Sequence, residues 1–174
     1  MAEEYDITVY GLAYLLHPET PKEGKPRPPR PGETEDELAE PLRSGAKEAG
    51  LIMRPPPKSP NTMYALEATE YAQQQGKFME FHRAAYKALW EDGKDLGDLA
   101  VIESIARNVD LDYTDLMVKL EDRSMSSTVI SQYQQAIKLG VSGIPTFLVG
   151  NLLFTGAHPY SIFKSAMEKV LETG

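Results

Sequence analysis

The side chains that carry most enzyme chemistry are scarce in this sequence. It has no cysteine, and its three histidines are His17, His82 and His158. Without a thiol, the chain can form no disulfide, no thiolate nucleophile and no thiolate metal site. No two histidines have metal-ligand spacing, and a G-x-S-x-G motif and a phosphate-binding glycine loop are both missing. The sequence therefore predicts no catalytic side chain, no metal site and no cofactor.

Backbone groups around Pro145 are the remaining candidate for chemistry. The stretch GVSGIPTFLVGN, residues 140–151, puts a proline at the start of an apolar run that is typical of a buried strand. Proline lacks the N–H of a ladder, so it stands at strand starts or bulges, and the residue before it is held extended. Ile144 and Pro145 would then present backbone groups at a sheet edge. The same residues also suit an ordinary junction between a loop and a strand.

The elements that would position this loop differ along the chain. Residues 5–16 are rich in β-branched and aromatic residues and predict a strand with a bulge at Gly11. Residues 17–37 are proline-rich and predict an extended connector, a more natural interpretation than an SH3-type ligand. The sequence predicts a weak helix over 37–50. Apolar repeats then predict five more helices: 61–75, 77–91, two capped by Asp98 and Asp112, and one ending at Gly140. Gly150-Asn151 predicts a hairpin, and a last helix closes the chain.

Composition and charge limit the partners that we expect. Hydrophobic residues make up 41% and charged residues 25% of the 174 residues, as in a soluble globular protein. We find no apolar run long enough to span a membrane and no signal peptide at the N-terminus, so we expect a cytoplasmic protein. The net charge of −8 argues against nucleic acid and anionic membrane surfaces as partners.

Several stretches resemble one known family. GVSGIPTFLVGNLLFTGAHPYSIFKSAMEKV is similar to the C-terminal part of the DsbA-like thioredoxin family, in the branch of the FrnE type and the 2-hydroxychromene-2-carboxylate isomerases. YLLHPETPKEG, PNTMYALEATEYAQQQGKFMEFHRAAYKALW and GDLAVIESIARNVDLD are similar to the same branch, so the resemblance extends over residues 5–172. It implies an α/β, thioredoxin-like fold with an all-helical insertion domain. Residues 1–36 and 140–174 would form the thioredoxin-like domain, and residues 37–139 the insertion.

The resemblance also implies a binding site without a catalytic side chain. It assigns a cis peptide bond to Pro145 and makes Gly143, Ile144, Pro145 and Thr146 a loop that pairs with an extended peptide or a thiol substrate. His82 stands where relatives often have histidine and would have a structural role. The relatives' first strand and Cys-Pro-x-Cys helix have no counterpart here, so the expected fold lacks its first β–α unit.

This departure leaves three functions open. The first is a thiol–disulfide oxidoreductase-family protein that is redox-inactive as given, because no residue can supply the attacking thiolate. The second is a peptide-binding or scaffold module that uses the Gly143–Pro145 loop. The third is a relative of the glutathione-dependent isomerases and transferases, whose activating segment would be missing as well.

The missing strand is central in a thioredoxin sheet, and its loss has structural consequences. Neighbouring strands lie about 4.8 Å apart, so removing one leaves a gap of about 10 Å and two unpaired edges. The strand at 5–16 could slide over and pair with residues 146–149. A second copy could supply a strand, which predicts a homodimer. Residues upstream of Met1 in a longer reading frame could also fill the gap.

Overall fold

The computed structural model describes residues 1 and 4–173, which contain seven helices and four short strands. The predicted α/β class is confirmed. The chain forms two compact units: Met1–Leu16 with Ser131–Gly174, named the hairpin unit here, and His17–Ile130, named the helical unit. Residues 17–36 thus belong to the helical unit, whereas the resemblance assigned residues 1–36 to the thioredoxin-like domain. An insertion domain over 37–139 stays a prediction.

The helical unit begins with a small pair of strands and continues almost entirely in helices. Strand β1 (Lys25–Pro26) pairs antiparallel with β2 (Lys58–Ser59). The helices are α1 (Leu42–Glu48), α2 (Met63–Gln74), α3 (Phe78–Trp90), α4 (Leu99–Asn108) and α5 (Tyr113–Glu121). Helix α6 (Ser126–Lys138) begins in this unit and ends in the hairpin unit.

Both predicted aspartate caps are confirmed. The Asp98 side chain accepts a hydrogen bond from the Ala100 amide at 2.9 Å, and Asp112 accepts one from the Asp115 amide at 3.0 Å. Each bond satisfies an amide that the first turn of a helix leaves without an acceptor, which is why the two helices begin at these points.

The hydrophobic core of the helical unit lies among α2 to α5. Apolar residues three and four positions apart put one face of each helix inward, as the sequence predicted. The side chains of Ala68, Tyr71, Phe81, Ile102 and Leu116 are almost completely removed from solvent. This unit therefore has a continuous core of its own.

The hairpin unit is built on one antiparallel strand pair and one helix. Strand β3 (Thr146–Val149) pairs with β4 (Leu152–Thr155), and helix α7 (Tyr160–Thr173) follows. The predicted hairpin at Gly150-Asn151 is confirmed, with a positive φ of 59° at Gly150. The rings of Phe147 and Phe154 both pack against Phe163 of α7, with centroids 4.8 and 5.3 Å from it.

The strand predicted over residues 5–16 is wrong. This segment forms no ladder, so there is no strand for a bulge at Gly11, and the side chains of Val9 and Leu12 are 61% and 70% exposed. It is attached by single contacts, such as the 2.7 Å hydrogen bond from the Ala13 amide to Gln132. β-branched residues favour a strand but do not create one without a neighbour to pair with. The direct pairing suggested for 5–16 and 146–149 is also wrong, because β3 pairs with β4 alone among the described residues.

Most apolar side chains of the hairpin unit remain in contact with solvent. Ala13, Val141 and Ala166 are its buried apolar residues in the described part of the chain. Ile137 and Ile162 fall on the apolar stripes of α6 and α7, yet they are 48% and 44% exposed. Two strands and one helix enclose little volume, so their apolar faces find few partners.

Candidate functional site

The predicted site residues form a tight, well-bonded turn into β3. The Ile144–Pro145 peptide bond is cis. The Thr146 hydroxyl donates to the Gly143 carbonyl at 2.7 Å and lies 2.8 Å from the Thr155 hydroxyl of β4. The Pro145 carbonyl accepts from the Gly156 amide at 2.8 Å. These bonds hold all four predicted residues in one fixed segment.

The Gly156–Pro145 bond also fixes which backbone groups of β3 point away from β4. In an antiparallel pair, residues alternate between exchanging hydrogen bonds with the partner strand and directing their groups outward. Pro145 bonds to β4, so Phe147 and Val149 do so as well, and the N–H and C=O groups of Thr146 and Leu148 point outward. We call this side of the strand, from Ile144 to Leu148, the outer edge of β3.

The outer edge has no backbone partner within the described residues. The sheet has two strands only, and no backbone hydrogen bond outside the ladder reaches Ile144, Thr146 or Leu148. The side chains of Ile144 and Leu148 are 48% and 59% exposed. The edge thus combines unused donors and acceptors with accessible apolar side chains, which is what an added strand requires.

This edge offers binding without acid, base or nucleophile. None of the four predicted residues titrates, and the chain has no cysteine. Across the described residues, no cluster of three potential metal ligands occurs. The chemistry available is hydrogen bonding by the backbone and contact with apolar side chains.

The three histidines lie apart from one another in sequence and make local contacts. The His82 ring lies 5.1 Å from that of Phe78 and 4.6 Å from that of Tyr86, all on α3. Burial lowers the pKa of His82, because a protonated ring would lose hydration there. His158 bonds to the Thr155 carbonyl at 3.0 Å, and His17 lies 3.5 Å from the Glu19 carboxylate. The contacts of His82 fit the structural role expected of it.

One buried carboxyl group, that of Glu67 in α2, was not predicted from the sequence. Glu67 is completely inaccessible to solvent, and its Oε1 accepts from the Ser126 hydroxyl and lies 2.9 Å from Arg123. Its Oε2 is buried without a hydrogen-bond partner among the described residues. Burial raises the pKa of Glu67, although Ser126 and Arg123 act to lower it. The sequence did contain a sign of this burial, because Glu67 falls on the same apolar face of the helix as Tyr64, Ala68 and Tyr71.

Comparison with known proteins gives one family and several similar structures. A family model described as a DSBA-like thioredoxin domain matches residues 1–168. The uncharacterized protein YwbO of Bacillus subtilis (strain 168) is 24% identical over 125 residues, which are 70% of this chain and 62% of that protein.

Two solved structures show the same fold at low identity. A probable DsbA oxidoreductase from Streptomyces coelicolor is 21% identical, with a TM-score of 0.66 over 74% of this chain and 57% of that one. A 2-hydroxychromene-2-carboxylate isomerase is 17% identical, with a TM-score of 0.67 over 76% of this chain and 64% of that one. The present chain thus spans about three fifths of the length of these relatives. In the described residues, no helix combines the length and the apolar character needed to cross a membrane.

Proposed function

Because this chain belongs to the DSBA-like thioredoxin domain family, we propose that it is a substrate-binding part of a thiol–disulfide oxidoreductase-type protein. It would hold an extended peptide against the outer edge of β3 by strand addition. The family match confirms the resemblance noted in the sequence. The binding role itself rests on the geometry of the edge.

One observation carries this proposal: the backbone groups of Thr146 and Leu148 point outward and have no partner in the described part of the chain. A peptide lying antiparallel or parallel to β3 would use them in register. The exposed side chains of Ile144 and Leu148 lie four residues apart with Thr146 between them, so they would contact peptide side chains near the two ends of the edge. The hydrogen bond from Thr146 to Gly143 holds the turn before β3 in place, so this part of the edge is already ordered before a ligand binds.

The sulfur chemistry of the family needs a group that these 174 residues do not contain. In thiol–disulfide exchange the attacking group is a thiolate, and the chain has no cysteine. We therefore assign binding and orientation of the substrate to this chain. Any exchange step would use a thiolate supplied by another segment or by a partner.

A peptide titration followed by NMR tests the proposal. Carboxymethylated insulin B chain, which is extended and has no free thiol, is added to the ¹⁵N-labelled chain while the amides of Ile144, Thr146 and Leu148 are observed. We expect shifts at these three amides. Leu148→Pro removes an outward N–H and should weaken binding about tenfold, because the matching peptide carbonyl loses its donor.

The matched control is Leu153→Pro, which removes an outward N–H on the opposite side of the hairpin, at the residue paired with Leu148. It should leave the affinity unchanged. If Leu148→Pro loses the dispersed signals of both strands, Ile144→Asp replaces it, because that change leaves the ladder intact, and Leu153→Asp then serves as the control on the opposite strand. Equal weakening by both proline variants, or no shifts at the three amides, would exclude the outer edge as the binding site. An insulin-reduction assay on the same sample should equal the buffer blank.

A further inference from the structure

The helical unit contains a cleft of about 360 Å³ that the outer edge of β3 does not involve. It lies at the N-terminal end of α2 and is lined by Lys22, Asn61, Met63, Tyr64, Gly97 and Arg123, all within the helical unit. We propose that this cleft binds a small anion through a carboxylate or phosphate group. The volume is near the lower limit for ligand sites, so it suits a small molecule.

The charge of the lining is the first argument. Two of the six lining residues, Lys22 and Arg123, are cations, and none is an acid. This is unusual for a chain whose net charge is −8. The Lys22 ammonium makes no ion pair or hydrogen bond with any residue that the structure describes. Its charge is therefore available to a ligand.

Arg123 is held in place from behind the cleft. Its Nη2 lies 2.9 Å from Oε1 of the fully buried Glu67, and the guanidinium carbon lies 5.1 Å from the centroid of the Tyr64 ring. A guanidinium has five N–H donors, and the contact with Glu67 occupies one of its nitrogens. The Arg123 side chain is 43% exposed, so its remaining donors can reach a ligand. Arg123 lines the cleft, whereas Glu67 does not.

The start of α2 adds directed amide groups to these cations. The Asn61 side chain accepts from the Met63 amide at 3.0 Å and donates to the Thr20 carbonyl at 2.7 Å, which fixes the residues before the helix. The amides of Tyr64 and Ala65 belong to the first turn and have no intrahelical acceptor. The positive end of the helix dipole thus acts in the same direction as Lys22 and Arg123.

Gly97 lines the cleft and packs closely against the backbone of Asn61 because it has no side chain. A Cβ atom at Gly97 would lie 3.0 Å from the Asn61 carbonyl oxygen and 3.2 Å from Asp95 Oδ1. The nearby Asp95 carboxylate is already engaged by Lys58 and by the Gly97 amide. It therefore does not compete for Lys22 or Arg123.

A titration with defined anions tests the site. Inorganic phosphate and succinate are added separately, at low ionic strength, to the ¹⁵N-labelled chain. We expect shifts of the Tyr64 and Gly97 amides that saturate, and that weaken when sodium chloride is added. Lys22→Ala should lower the affinity about fivefold, because one unscreened charge contact is lost. A response to phosphate alone indicates a phosphate ester as the ligand, and a response to succinate alone indicates an organic acid.

The matched control is Lys47→Ala, which removes an exposed lysine of the same unit outside the cleft. It should not change the affinity. Equal weakening by Lys22→Ala and Lys47→Ala would show general charge screening and overturn the proposal. A dissociation constant above about 10 mM for both anions would overturn it too. These signals come from Tyr64 and Gly97, so the result is independent of peptide binding at Ile144 to Leu148.

Discussion

Glu67 shows how a single residue can make folding depend on pH. Its carboxyl group is completely buried, and one of its oxygens has no hydrogen-bond partner in the described chain. Burial raises its pKa above the ordinary value of 4.5. The folded protein therefore binds the proton more tightly than the unfolded chain does, and the stabilisation due to the protonated form is lost as the pH rises through the folded-state pKa.

We expect Glu67→Gln to remove this pH dependence. Relative to the variant, the wild-type chain should lose unfolding free energy as the pH rises above 4.5, with a slope of at most about 1.4 kcal/mol per pH unit. Urea unfolding at several pH values from 4 to about 8 measures both curves. Glu121→Gln, which removes an exposed carboxylate at the end of α5, corrects for the general effect of net charge. Parallel curves for wild type and Glu67→Gln would contradict the prediction.

The sequence made some single-residue features predictable and left others hidden. The Gly143–Thr146 loop was predictable because proline limits the local backbone wherever it stands. That Lys22 and Arg123 line the same cleft was not predictable, since it depends on how segments far apart in sequence meet. Glu67 could have been found from its place on an otherwise apolar helix face.

At the scale of elements, the hairpin depends on a close approach to α7. Gly150 has a φ of 59°, and a Cβ atom there would lie 2.7 Å from Cγ2 of Val170. Valine has little rotational freedom in a helix, so it cannot move aside easily. The glycine thus satisfies both the turn conformation and the packing of the strand pair on the helix.

We expect Gly150→Ala to destabilise the hairpin unit by about 2–4 kcal/mol, from the positive φ and from overpacking together. The control is Gly140→Ala in the same unit, which also has a positive φ, of 80°, but meets no atom within 4 Å of the added Cβ. It should cost about 1–2 kcal/mol. Chemical unfolding of both variants gives the comparison. Adding Val170→Ala to Gly150→Ala should recover part of the loss, and equal losses for the two glycine variants would contradict the role of Val170.

Elements with strong local signals were predictable, and elements that need a partner were not. Helices α2 to α5 follow from apolar spacing and from the caps at Asp98 and Asp112. The segment 5–16 has the composition of a strand but pairs with no strand among the described residues, so its local preference does not decide its structure. The hairpin was predictable because only two residues separate its two strands.

At the scale of the whole molecule, the open edge of β3 favours association between copies. Unpaired strand edges with exposed apolar side chains are templates for another strand. We expect a homodimer at micromolar concentration, with the two copies paired through β3, and light scattering after size exclusion measures its mass. Leu148→Pro should shift the chain towards monomer. A monomer at every concentration tested would contradict this expectation.

Peptide binding and dimer formation would use the same edge, so they should compete. Carboxymethylated insulin B chain should then convert the dimer into a peptide-bound monomer as its concentration rises. A dimer whose mass is unaffected by saturating peptide would place the contact between copies elsewhere on the chain.

The unequal interiors of the two units affect how any unfolding experiment on this chain is interpreted. The helical unit has a continuous core, whereas the hairpin unit buries Ala13, Val141 and Ala166 and leaves its other large apolar residues partly or largely exposed. We expect such a chain to unfold in more than one transition, so that one melting temperature would average two processes. Spectroscopic labels in each unit would separate them, with Trp90 as a natural reporter of the helical unit.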